Sequence, residues 1–236
     1  MASDMETVDL TRTLKVLSKN SKRPRPVKTN IIPPGAKEGE KTAFFLDNVF
    51  TKEECKELIR RSEEKGYEQA LVNIGGGRQK LMLSARNNQR CLIDSTELVD
   101  AFWERLAEFI PQPFYGYKAL GLNERLRFLR YDPGEYFKPH FDGSYERKNG
   151  EHSMVTVQIY LNEGFKGGST TFLPYFNSDD DPPVECVPKI GRVLIFEHRL
   201  YHEGSMLKDG RKYAIRTDVM YSSEKQDDVE HEDPYC

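Results

Sequence analysis

From Gly121 onward the chain breaks into short runs rich in β-branched and aromatic residues: Arg125–Tyr131, Met154–Leu161, Ser169–Leu173, Arg192–Phe196 and Lys212–Tyr221. Gly, Pro and Asp part them. Several short strands at this spacing predict a sandwich or barrel.

Two helical patterns precede that region. Phe44, Phe45 and Leu46 predict a strand near Lys41 that leads into Phe50-Thr51-Lys52-Glu53-Glu54-Cys55. Thr51 and Glu54 have capping-box spacing, and Phe50 and Cys55 are placed as a hydrophobic staple. The pattern predicts a helix over Lys52–Lys65 with Leu58 and Ile59 on its apolar face, and Gly66 stands where a left-handed cap belongs. A second helix should follow Asp94, with Glu97 three residues on, Leu98, Phe102, Leu106 and Phe109 on one stripe, and Pro111 as the stop. Helices followed by β-structure make the class α+β: a double-stranded β-helix, or jelly roll, with supporting N-terminal helices. The length, 236 residues, suits one main domain.

The ends read differently. Lys15 to Lys28 carries six basic residues and no acid, so residues 1–40 are expected to form a basic, disordered arm. Within it, Ser21-Lys22-Arg23-Pro24-Arg25-Pro26 has the composition of a nuclear address or of a patch for an acidic partner, although such runs are more often simply solvated. The folded domain is expected over 41–223. An acidic tail over 224–236 follows, with six acids against one lysine between Glu224 and Asp233. A formal charge of -3 gives no global field for nucleic acid or an anionic membrane, so the basic arm is the one weak hint of nucleic acid. Cys55, Cys91, Cys186 and Cys236 form no C-x-x-C pair, which points away from a zinc ribbon or disulfide framework. The N-terminus lacks the apolar core of a signal peptide, and no apolar run approaches the roughly 20 residues of a membrane span. The expectation is a soluble intracellular protein, cytoplasmic or nuclear, with no membrane partner.

In Lys138-Pro139-His140-Phe141-Asp142-Gly143, His140 and Asp142 stand two apart, so in extended chain their side chains leave one face and one cation can touch both. Imidazole plus carboxylate is the donor mixture of a 2-His-1-carboxylate iron site, which needs one more histidine. His152 is expected in a loop before a strand and His231 lies in the tail. His198 and His202 have the i, i+4 spacing of a zinc-binding helix, but Arg192-Val193-Leu194-Ile195-Phe196 reads as a strand and no helix frames the pair. His202, in a short strand after a turn, is the better ligand, and His198 is assigned a structural role.

The segment from Arg130 to Asp142, reading Arg-Tyr-Asp-Pro-Gly-Glu-Tyr-Phe-Lys-Pro-His-Phe-Asp, resembles the iron-binding segment of the prolyl 4-hydroxylase-like Fe(II)/2-oxoglutarate-dependent dioxygenases. Ile159-Tyr160-Leu161-Asn162 resembles their central strand, Gly167-Gly168-Ser169-Thr170-Thr171-Phe172 their G-G-x-T-x-F turn, and Pro188-Lys189-Ile190-Gly191-Arg192 their P-x-x-G-x turn. His202 follows in order. The similarity extends over roughly residues 41 to 222 and is specific in combination.

The resemblance implies Fe(II) held by His140, Asp142 and His202, with 2-oxoglutarate and O2 as co-substrates and L-ascorbate as reductant. It implies hydroxylation of a substrate C–H bond with release of succinate and CO2, and no catalytic residue beyond the metal site. Lys212, ten residues after His202, matches the family's co-substrate cation, and Tyr160 its neighbouring hydroxyl; Tyr131 is a further contact near the metal. Lys212, Ala214, Arg216 and Asp218 alternate onto one strand face, so Arg216 is an equal candidate for the carboxylate or, blandly, a partner of Asp218. Thr170 and Asn162 serve either the co-substrate or the turn. The polar segment Ser84–Arg90 reads as a surface loop, with reach over the barrel mouth as the alternative. The substrate stays open between a protein side chain, prolyl first, and a small molecule; a catalytically silent metal-binding jelly roll is the competing class.

Overall fold

Two central strands set the architecture by strict alternation. Along β10 (His152–Tyr160), Val155, Val157 and Ile159 face one way; along β17 (Lys212–Lys225), Ile215, Val219 and Tyr221 join them. Tyr160 and Ala214 face the other way, into a second core. A sheet apolar on one face and mixed on the other must be covered twice, and the computed structural model shows both covers. It describes residues 9–18, 24–74, 78–175 and 181–226.

The larger sheet runs from β1 (Val27–Asn30) through β2 (Ala43–Asp47), β14 (Val193–Glu197), β10, β17, β8 (Arg125–Tyr131) and β6 (Gln89–Asp94) to β3 (Glu68–Gln69). Off this path, β7 (Tyr117–Leu122) pairs with β17. The smaller sheet has the order β13 (Val184–Cys186), β12 (Thr170–Phe172), β15 (His202–Gly204), β9 (Phe137–His140). Every pairing is antiparallel. Two small hairpins complete the strands: β4 (Val72–Asn73) with β5 (Gln79–Lys80), and β11 (Lys166–Gly167) with β16 (Leu207–Asp209). Ala43, Tyr160, Phe172, Leu194, Phe196 and Ala214 fill the space between the two sheets. This is the expected jelly roll.

Three helices cover the outer face of the larger sheet. In α2 (Lys52–Lys65) the Thr51–Glu54 capping box forms in both directions, at 3.2 and 2.7 Å, and Cys55 and Leu58 are buried. Gly66 takes a positive φ of 89° but with ψ 157°, so its backbone is not left-handed helical. In α3 (Thr96–Leu106), Leu98, Phe102 and Leu106 are buried, and Phe109 lies in a following single 3-10 turn. Its N-cap is Ser95, whose Oγ accepts the Leu98 N–H at 3.1 Å; Asp94 is drawn off to Arg125, at 2.9 and 2.7 Å.

The folded unit begins earlier than residue 41. Leu10, Leu14 and Leu17 stand at helical spacing, and α1 (Thr11–Ser18) packs them onto the same core. The Leu17 carbonyl accepts from Arg105 at 2.9 Å, and β1 pairs with β2 at the sheet edge. Counting charges hid this stripe. Lys22 and Arg23 of the basic motif lie outside the described residues, as do 227–236 of the acidic tail with His231 and Cys236, whereas Glu224 and Lys225 end β17. No helix among the described residues is long and apolar enough to cross a membrane.

Candidate active site

The site begins with a cross-strand pairing. β9 and β15 run antiparallel with His140 registered opposite His202, which brings their rings to 4.4 Å between centroids. Asp142 follows two residues after His140, and the three donor atoms lie within 4.8 Å of one another. Among the described residues this is the one such His/Cys/Asp/Glu group.

Local hydrogen bonds aim each donor. His140 Nδ1 bonds the Lys138 carbonyl at 2.7 Å and His202 Nδ1 the Leu200 carbonyl at 2.8 Å, so each Nδ1 donates its proton to a carbonyl two residues upstream and each Nε2 is left to face inward. Phe137 stacks on His140 at 3.6 Å and 22°. Asp142 Oδ2 accepts from Thr156 Oγ1 at 2.6 Å, Oδ1 lies 3.0 Å from Arg216 Nη2, and its N–H donates to the His198 carbonyl at 3.1 Å.

Electrostatics put two of the donors in their ligating forms. Burial raises the Asp142 carboxyl, but Arg216, with His202 and His140, overcomes it and holds the group well below the usual carboxylate range. Burial lowers His202 to about 4, which leaves it neutral at physiological pH. Imidazole nitrogen plus carboxylate oxygen, with open cavity beside them, fits a divalent first-row metal such as Fe(II).

His198 stays out of this cluster. Its buried ring lies 3.4 Å from Asp218 Oδ1, and its part in the site is the backbone carbonyl that receives Asp142. His152 is the first residue of β10 rather than a loop residue, and packs edge-on against Tyr117.

The cavity beside the triad is lined by Tyr131, Gln158, Thr170, Lys212, Ala214 and Arg216, and also by Arg86, Arg127 and Phe137. Lys212 is buried and pairs in register with Tyr131; its Nζ lies 4.9 Å from the Tyr131 ring centre and donates to the Gly168 carbonyl at 2.6 Å. Gly168 holds φ +71°, and a Cβ there would press Leu207 at 3.0 Å and the Lys212 side chain at 3.2 Å. Burial pulls the Lys212 ammonium down to about 8. Tyr160 does not line the cavity: its hydroxyl donates to Thr170 Oγ1 at 2.8 Å, and Thr170, which also accepts from Gln158 at 2.7 Å, forms the wall. Asn162 serves the turn, bonding the Arg211 carbonyl and the Tyr213 N–H at 2.7 Å each. Arg216 lies between Asp142 and Asp218, 3.0 Å from each, at the triad end of the cavity.

Ser84–Arg90 is not an ordinary surface loop. Arg86 bridges to Phe137, the Lys138 N–H donates to Ala85 O at 2.9 Å, Asn88 is buried, and Gln89–Arg90 open β6. The alternative reading of that segment, reach over the barrel mouth, accounts for Arg86 on the cavity wall, whereas Arg127 and Gln158 carry no local sequence signal for their places there.

Residues 126–217 match the 2OG-Fe(II) oxygenase superfamily. The chain is 25% identical over 175 residues to "Probable prolyl 4-hydroxylase 3" of Arabidopsis thaliana, covering 66% of this chain and 58% of that protein. It is 30% identical over 160 residues to "Probable prolyl 4-hydroxylase 11" of the same plant, covering 65% and 52%. The chain thus spans a little over half the length of these relatives. Two solved structures share the fold. The viral collagen prolyl hydroxylase of Paramecium bursaria Chlorella virus-1, in complex with 2-oxoglutarate, matches with TM-score 0.53 at 21% identity, over 77% of this chain and 97% of that one. The Trichoplax adhaerens prolyl hydroxylase, in complex with a hypoxia inducible factor peptide fragment, matches with TM-score 0.55 at 16% identity, over 92% and 94%.

Proposed function

We propose that this chain is a prolyl 4-hydroxylase-like member of the 2OG-Fe(II) oxygenases and that it couples decarboxylation of 2-oxoglutarate to hydroxylation of a substrate C–H bond, a reading that the matched family model and relatives support. Succinate and CO2 are the other products. The observation that carries this reading is the register of His140 against His202 with Asp142 beside them, both Nδ1 atoms tied to carbonyls.

When bound, Fe(II) with 2-oxoglutarate and O2 supplies the oxidising chemistry, which side chains do not possess. The chain's own residues position the reactants. His140, Asp142 and His202 would hold the metal, and the cavity that they line would receive the co-substrate. Lys212 receives the distal carboxylate: it is a buried cation bonded to a carbonyl, in a wall that Thr170, Gln158 and Tyr131 furnish with further donors. Arg216 is committed to Asp142 and Asp218, so its role is to fix the ligand carboxylate. Tyr160 acts on the co-substrate through Thr170. The substrate is a protein side chain, with proline the first candidate from the names of the relatives.

The test is succinate formation by purified protein with Fe(II), 2-oxoglutarate and ascorbate, set against His140→Ala. Formation well above the variant is expected. Equal, background rates in both proteins would overturn the reading.

A further inference from the structure

The cavity wall carries more positive charge than the proposed reaction uses. Arg86, Arg127, Lys212 and Arg216 all line the cavity that holds the triad. Arg216 and Arg127 are direct cross-strand neighbours on β17 and β8, an arrangement that repels unless an anion intervenes. Asp218 is that anion: it accepts from Arg127 Nη1 at 3.1 Å and from Arg216 Nη2 at 3.0 Å. These two arginines therefore have carboxylate partners.

Arg86 has none among the described residues. Its Nε donates to the side-chain oxygen of Asn88 at 2.7 Å, and its guanidinium lies over the Phe137 ring, 4.6 Å from the centre. Phe137 in turn stacks on His140. The cation is thus held at two points, one aromatic ring away from a metal ligand, in a place where burial disfavours its charge and Arg216 and Arg90 add to that, with Tyr131 and Asp142 opposing. Glu203, the remaining acid on the wall, already accepts from Ser205 Oγ at 2.8 Å. With a divalent metal and dianionic 2-oxoglutarate bound, four side-chain cations and the two metal charges face three carboxylates and two co-substrate charges. One positive charge is left over, and Arg86 is the wall cation without a carboxylate partner among the described residues.

We infer that the substrate brings an anion to Arg86, so that the hydroxylated residue lies next to an acidic side chain, carboxylate or phosphate, of the substrate peptide. The inference rests on the proposed oxygenase reading. A guanidinium offers a planar fork of donors to such an anion, and in a cavity screened from water that contact discriminates strongly between a charged group and its neutral isostere.

The experiment uses the full chain loaded with redox-inert Zn(II) and saturated with 2-oxoglutarate, so that binding is read without turnover. Acetylated tripeptide amides with a central proline and flanking aspartate, phosphoserine or asparagine are titrated by calorimetry. At least one acidic peptide should bind about tenfold or more tightly than the asparagine peptide, and comparison of the two acidic arms identifies the anion. Arg86→Gln should abolish the preference and Arg86→Lys should keep part of it, with 2-oxoglutarate affinity little changed in both. The inference falls if neither acidic peptide outbinds the asparagine peptide, if the preference survives in Arg86→Gln, or if Arg86→Gln weakens 2-oxoglutarate as much as peptide. The first comparison needs no variant, so misfolding of Arg86→Gln leaves it decisive. Succinate release by the Fe(II) protein separates the levels: release without an anion preference removes this inference alone, and absence of release removes the oxygenase reading beneath it.

Discussion

Replacing Lys212 with methionine should make the ligand-free protein more stable while disabling co-substrate binding. The ammonium is buried among Tyr131, Tyr160 and the Cys186 thiol, and no carboxylate ion-pairs with it among the described residues. Burial lowers it from 10.5 to about 8, which corresponds to about 3 kcal/mol of penalty for the charged form at neutral pH. Methionine fills similar volume without charge but orphans the Gly168 carbonyl, at a cost of about 1–2 kcal/mol. The balance is a gain of about 1–2 kcal/mol at pH 7, or roughly 2–8 °C in melting temperature for a chain of this size.

The sign with pH is fixed by linkage. Between about 8 and 10.5 the unfolded chain binds the lysine proton and the folded one does not, so this group makes wild-type stability rise across that window. The advantage of Lys212→Met should therefore be largest below pH 8 and shrink toward pH 10. Urea denaturation of metal-free protein at pH 7 and pH 10 measures it. Titration of the Zn(II) protein should show wild-type 2-oxoglutarate affinity falling as pH rises above about 8, because a neutral amine cannot pair with the carboxylate, and the variant binding at least about tenfold more weakly. A variant less stable than wild type at pH 7, or an advantage that ignores pH, would refute the reasoning.

Alanine at His140, Asp142 or His202 should abolish stoichiometric Fe(II) or Zn(II) binding, whereas His198→Ala should retain it; metal analysis after gel filtration decides, and the reverse pattern for His198 and His202 would mean that the wrong histidine is assigned. Arg216→Gln leaves Asp142 and Asp218 without their shared cation and should destabilise the metal-free protein by about 3 kcal/mol, with saturating Zn(II) restoring more stability than it adds to wild type in parallel melts. Its 2-oxoglutarate affinity should fall less than that of the Lys212 variant. Thr51→Ala removes one half of the α2 capping box and should cost about 1 kcal/mol in urea unfolding with the slope unchanged.

What could be read from the sequence was what repeats locally. Period-two alternation put Lys212, Ala214 and Arg216 on one face of β17, and all three line the cavity. The H-x-D spacing likewise put two donors on one side of the chain, with the third following from strand logic around His202. Where apolar residues are few and interleaved with charge, the same logic loses its grip. In β6, Cys91 and Ile93 face the core while Arg90 and Asp94 hold the strand to its surroundings by charge, so the apolar pattern of Gln89–Asp94 is too sparse to mark a strand. The leucine stripe of α1 was hidden similarly by its lysines and arginines.

The remaining unread features depend on neighbours distant in the chain. Arg127 owes its place to registering opposite Arg216, 89 positions later, and Asp218 makes that pairing tolerable. Tyr160 has the right residue type in the right strand, yet the register of β12 sets Thr170 between its hydroxyl and the cavity. A one-residue shift in strand pairing would exchange which side chains meet there, because neighbours along a strand face opposite ways. Spacing along one strand therefore specifies a face, and only the pairing of two strands specifies a contact. The candidate triad shows the difference: Asp142 follows His140 by two residues just past the end of β9, and His202 reaches them by the pairing of β15 with β9.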